Sequence, residues 1–165
     1  MSHERALARV RTFLHVIALG LFIGTIGELL MVKHYGEPLK LVPFALCGAG
    51  CLAIIAAWRW PRRLVLLGVR GLMLGTMAGS LVGVYAHIEG NLAFAQEIHR
   101  HATTVERIKQ VLTGRNPIAA PGMLAVAALL LIAATYVTSA LASPERSEAV
   151  AERREPTRMR TSQTA

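Results

Sequence analysis

Apolar residues are gathered into four long runs, at positions 12–32, 41–57, 64–86 and 120–142, with charged residues almost excluded from each. Each run is about the length a helix needs to cross a hydrocarbon core of ~30 Å. The pattern predicts an all-α polytopic membrane protein, a four-transmembrane-helix bundle with its core in lipid. One sizeable segment, 87–119, is left outside between the third and fourth runs. Within it Leu92, Ala95, Ile98, Ala102, Val105, Ile108 and Leu112 recur at three- and four-residue steps, while Glu97, Arg100, Glu106, Arg107 and Lys109 face elsewhere. That is a one-sided stripe, so an amphipathic extracytoplasmic helix is expected over about 91–113, lying on the outer membrane surface or capping the bundle. Gly114 is its natural stop, and Pro117 and Pro121 bracket the start of span four.

Composition and charge place this bundle rather than change it. The chain of 165 residues has room for one domain, 1–143, followed by a tail. Its formal charge of +8 invites a nucleic-acid reading. The basic residues instead collect beside the apolar runs, without interleaved aromatics, which excludes nucleic acid as a partner and leaves the lipid bilayer. Arg5, Arg9 and Arg11 precede span one, and Arg59, Arg62 and Arg63 fill the link between spans two and three. The positive-inside rule puts both on the cytoplasmic side, so the expected topology is N-in and C-in, multi-pass, in a bacterial inner (cytoplasmic) membrane. Trp58 and Trp60 suit the inner interface, Tyr35 and Tyr85 the outer one. The N-terminus resembles a signal peptide's basic region. The apolar stretch after it is too long, however, and Glu28 and Lys33 stand where a cleavage site belongs, so it reads as an uncleaved span. The tail, 144–165, is polar and lacks aromatics, and is expected to be disordered in the cytoplasm.

Small residues suggest how the helices meet. Gly71, Gly75, Gly79 and Gly83 recur at four-residue intervals in span three, and Gly20 and Gly24 do so in span one. Glycine at this spacing lets two backbones approach closely, which predicts contact of spans one and three through their glycine faces, a glycine zipper. The two spans also share GLFIGTI (20–26) and GLMLGTM (71–77), each followed by a histidine, His34 and His87. That is the pattern a duplicated helix pair would leave.

Ionisable groups inside spans are costly and therefore candidates for function. Glu28 lies near the outer end of span one on its glycine face, and His87 ends the glycine face of span three. Packing of those faces would make them a polar intramembrane pair able to relay protons, bind an ion or simply hold the bundle. His15 and His87 are weak candidates for cofactor ligation by imidazole, and no matching second histidine completes a bis-His haem site. On the outside His34, Glu37, His87, Glu89, Glu97, His99 and His101 cluster loosely. His34, His87 and Glu89 are weak metal candidates, but no strict zinc spacing is present, so no metal and no cofactor is expected. Arg70 is expected to snorkel to the interface. Cys47 and Cys51 share a helix face in span two as small packing residues rather than a bridge.

The stretch GELLMVKHYGEPLKLVPFAL, with HIEGNLAFAQE and TGRNPIAAPG, resembles a family of small bacterial four-span membrane proteins. The shared residues are Glu28, His34, Tyr35, Pro43, His87, Gly90, Asn91, Phe94 and Glu97. The resemblance implies the four-span topology and carries no activity. With no catalytic signature in the chain, the expected function is non-enzymatic: a structural or accessory subunit of a membrane assembly, acting as a homo-oligomer or within a larger complex. The alternatives are a small oligomeric transporter or proton- or ion-conducting protein using Glu28 and His87, and a cofactor-binding membrane electron-transfer subunit.

Overall fold

The computed structural model describes residues 3–36, 38–98, 103–114 and 118–141. Within them the chain is all-helical, with five helices: α1 (His3–Met31), α2 (Val42–Arg59), α3 (Arg63–Ile98), α4 (Thr104–Thr113) and α5 (Ala119–Leu141). A 3₁₀ turn, Pro38–Leu41, leads into α2. Four of the helices (α1, α2 with its leading turn, α3 and α5) are long and apolar enough to cross a membrane. The tail 144–165, Glu37, His99 and His101 lie outside the described residues.

The boundaries differ from the apolar runs in two places. The first helix begins nine residues before Thr12, because HERALARVR is itself a helix-forming sequence with Glu4 favourably placed in the first turn. α3 does not end near Ala86 but runs for 36 residues, about 54 Å at 1.5 Å per residue, well beyond a ~30 Å core. No proline interrupts it after Ala86, and the lone Gly90 is tolerated between good helix formers. The outer stripe is therefore divided: Leu92, Ala95 and Ile98 belong to α3, Val105, Ile108 and Leu112 to α4, and Ala102 lies outside the described residues. A new helix starts where Thr103 and Glu106 form a reciprocal capping box, with Glu106 accepting from the Thr103 backbone N–H at 2.8 Å.

α4 folds back along the protruding end of α3. Asn91, 1% exposed, donates from Nδ2 to the Val111 carbonyl at 2.9 Å. A Cβ at Gly114 would fall 2.8 Å from Asn91 Cγ and 2.5 Å from the Gln110 carbonyl, so only glycine lets the chain turn there. On α4 the apolar stripe does not cap the bundle: Val105, Ile108 and Leu112 are exposed, as the alternative of a helix on the membrane surface requires, and the contact with α3 uses Val111 and Gly114.

The packing order also departs from expectation. α5 lies between α1 and α3 and makes the most extensive contacts with both, while α2 covers α1 and touches α3 and α5 less. α1 and α3 hardly meet. The reason is that α5 supplies the small residues: Ala120, Ala127, Ala128 and Ala134 are all buried, alongside Leu124 and Leu131. Alanine lets α1 and α3 approach it from both sides. α1 contributes His15, Ala18, Phe22, Thr25 and Leu29, one face at steps of three and four. A Cβ at Gly20, Gly24, Gly71, Gly75 or Gly79 would meet nothing within 4 Å, so these glycines do not form the expected α1–α3 seam. Of that set only Gly83 has a neighbour, Pro121 Cβ at 3.4 Å. The close approach is made instead by Gly50 of α2, beneath the Phe22 ring.

Candidate functional site

Two ends of the bundle are distinguished by their links. One carries the α1 N-terminus and the α2–α3 link, and the other, the hairpin end, carries the α1–α2 link and α4. At the hairpin end a cavity of about 430 Å³ opens between α1, α2, α3 and α5. α1 contributes Glu28 and α3 contributes His87, so the two polar residues singled out in the sequence do share one site. No hydrogen bond or ion pair joins them. They face a common space rather than each other's charge, because α1 and α3 stand apart on either side of α5.

The rim is built by the way α1 ends. His34 N–H donates to the Leu29 carbonyl at 2.9 Å and Lys33 N–H to the Leu30 carbonyl at 3.1 Å. These are the two bonds of a Schellman motif, with Lys33 in the left-handed position at φ 50°. A side chain there costs roughly 1–2 kcal/mol where glycine would cost little. The motif reverses the chain and places Lys33 and His34 on the cavity, joined by Lys40 from the 3₁₀ turn. Sequence reasoning passed over both lysines; a lysine at the position where a helix usually ends in glycine is the signal that would have found Lys33. Burial, followed by the charges of His87 and Lys40, holds the His34 imidazole below its ordinary value of 6.5.

The floor is polar but already engaged. Thr25 Oγ1 donates to the Leu21 carbonyl and Ser80 Oγ to the Thr76 carbonyl, each at 2.8 Å, leaving oxygen lone pairs towards the cavity. Leu29, Val42, Pro43, Leu46 and Leu124 supply apolar walls. One to two turns deeper Phe22, Met73 and Leu131 are each 0% exposed and close the interior. His87 Nδ1 is buried without a hydrogen-bond partner.

The other candidates lie elsewhere. Glu89 is exposed and off the cavity, two residues and more than half a helical turn from His87, so it does not converge with His34 and His87. Among the described residues no three His, Cys, Asp or Glu side chains converge as a metal set. His15 is near the opposite end, its Nδ1 2.8 Å from the Arg11 carbonyl and its ring 5.7 Å from that of Trp58. A carbonyl only accepts, so Nδ1 carries the proton and the buried Nε2 has no partner. His15 and His87 are too far apart along the bundle to flank one cofactor.

Arg70 is held by side chains of α5. Its Nε donates to Thr135 Oγ1 at 2.9 Å and its Nη2 to the Thr135 carbonyl at 3.1 Å and Ser139 Oγ at 2.7 Å, with the guanidinium 3.9 Å above the Tyr136 ring. Thr135, Tyr136 and Ser139 form one polar patch on α5, and Arg70 ties α3 to it. The two hydroxyls at i and i+4 in an otherwise apolar run were the readable sign.

No protein-family model, curated protein sequence or solved structure matches the chain.

Proposed function

We infer that this is a multi-pass inner-membrane protein, N-in and C-in, which acts by binding rather than catalysis, and that the cavity at its hairpin end is a small-ligand site open to the extracytoplasmic side. It serves as an accessory subunit or receptor-like component of a membrane assembly. The observation that carries the reading is the meeting of Glu28, Lys33, His34, Lys40 and His87 on one cavity of ligand size. The arginines at the opposite end support the orientation. The apolar walls suit partial burial of a small molecule, and the closed layer of Phe22, Met73 and Leu131 favours a dead-ended site over a pore.

A second reading, proton or ion transfer, is favoured by the same sharing of Glu28, His34 and His87, but it requires that closed layer to open in another conformation. Cysteine accessibility tests the first reading. In a Cys47→Ala, Cys51→Ala background, Glu28→Cys should react with a membrane-impermeant maleimide added from outside, and Leu131→Cys should not. Labelling of Glu28→Cys only from the cytoplasmic side would overturn the topology, and no labelling from either side would overturn the open cavity. Labelling of Leu131→Cys would favour the conducting reading.

A further inference from the structure

We propose that the cavity receives an anionic amphiphile, with a single carboxylate or phosphate head at the rim and an aliphatic part against the glycine side of α3. This rests on the reading of the cavity as a binding site. Charge is the first reason. Among the described residues Glu28 is the only acidic side chain in the lining, against Lys33, Lys40 and the imidazoles of His34 and His87. The second is polarity by depth. The floor hydroxyls of Thr25 and Ser80 have given their protons to backbone carbonyls, so the floor offers lone pairs and disfavours an anion. The head therefore belongs at the rim, where Lys33 is held in a left-handed conformation that glycine would adopt more readily. His87 adds a polar side chain to the lining on the α3 side.

The aliphatic part follows from α3. Gly79 and Gly83 line the cavity, and a Cβ at Gly79, or at Gly75 one turn along, would meet nothing within 4 Å. α3 thus presents a strip without side chains that continues out of a charged cavity, beside α2, which packs on α3 less closely than α5 does. A chain of methylenes can lie along such a strip with its head among the lysines. The same chemistry has two sources: a membrane lipid sliding in sideways, or a soluble amphiphile arriving from outside.

The test uses the full-length protein in phosphatidylcholine nanodiscs, titrated with a fluorophore-tagged undecanoate, with dodecyl phosphate, and with the matching uncharged alcohol. The two anions should show saturable binding above empty nanodiscs, and the alcohol should not. Lys33→Asn keeps a residue that tolerates the left-handed position while removing the charge, and should weaken binding about five-fold, the equivalent of about one interfacial charge. Gly79→Leu should weaken it at least ten-fold by filling the space. Gly68→Leu, equally open but outside the cavity lining, should bind as wild type. An anionic lipid extracted with wild-type protein and lost from Gly79→Leu would identify the membrane as source. Saturable binding without such a lipid would identify a soluble ligand. Equal binding of the alcohol, or wild-type affinity in both Lys33→Asn and Gly79→Leu, would overturn the proposal even where Glu28→Cys labels from outside. Failure of that labelling would instead remove the cavity reading on which it rests.

Discussion

Gly50→Ala is the substitution that most directly tests how the bundle is packed. An ideal Cβ at Gly50 falls 2.5, 2.6 and 2.8 Å from Phe22 Cζ, Cε1 and Cε2. Non-bonded carbons rest at about 3.5–4.0 Å, so the overlap is about 1 Å against the far side of a ring. Phe22 is 0% exposed and cannot swing away without displacing its neighbours. Overpacking of this kind costs about 1–3 kcal/mol. Alanine also gains up to ~1 kcal/mol of helix propensity over glycine, which would mask part of that cost. Gly75→Ala supplies the control, since its Cβ would meet nothing within 4 Å and the propensity gain is shared. The difference between the two variants should therefore be about 1–3 kcal/mol, read from reversible unfolding of the purified protein from mild detergent into SDS, followed by Trp fluorescence. Phe22→Leu should relieve the clash, so that the double variant Phe22→Leu, Gly50→Ala loses less than the sum of its parts by about 1 kcal/mol or more. If Gly50→Ala were as stable as Gly75→Ala, or if the cycle were additive, α1 and α2 would not meet at Phe22 and Gly50.

Three further outcomes are expected. Arg70→Lys cannot reproduce the forked contacts to Thr135 and Ser139, and should destabilise by about 1 kcal/mol in the same assay; Tyr136→Phe keeps the ring face and should be neutral, and a neutral Arg70→Lys would deny the clamp. Because Glu28 and His87 share a cavity without a bond, Glu28→Gln and His87→Gln should add in stability to within about 0.5 kcal/mol, and a larger coupling would mean that the two pair directly. The His34 ring should titrate below 6.5 by NMR, and His87→Gln should raise its midpoint. A lowered folded value means that the unfolded chain binds the proton more readily, so stability should fall as pH drops below about 6.5 and should be unaffected by His34 above it; a midpoint at or above 6.5 would refute the placement beside His87 and Lys40.

The sequence by itself determined the four apolar helices and, in Glu28 and His87, two residues of one site, because both follow from local pattern: the run of side chains a helix of a given length must present, and the rarity of charge within such a run. The capping box at Thr103 and Glu106 is equally local, four consecutive positions holding the whole motif, yet the single helix expected over 91–113 ran through it. Which helix packs on which was not local. Gly71, Gly75 and Gly79 read as a contact face, and the tertiary structure gave that role to the alanines of α5, whose smallness is less conspicuous but which faces α1 and α3 at once. The same arrangement separates α1 from α3 and turns the expected Glu28–His87 pair into opposite walls of a cavity. Lys33 and Lys40 join that cavity only because α1 ends in a left-handed residue that folds the chain back over it. Arg70 finds Thr135 and Ser139 across 65 and 69 positions of chain, a distance over which composition carries no information. Periodicity fixes what one helix can do alone, whereas close approach depends on the side chains of two helices meeting in space, and only the folded bundle brings those together.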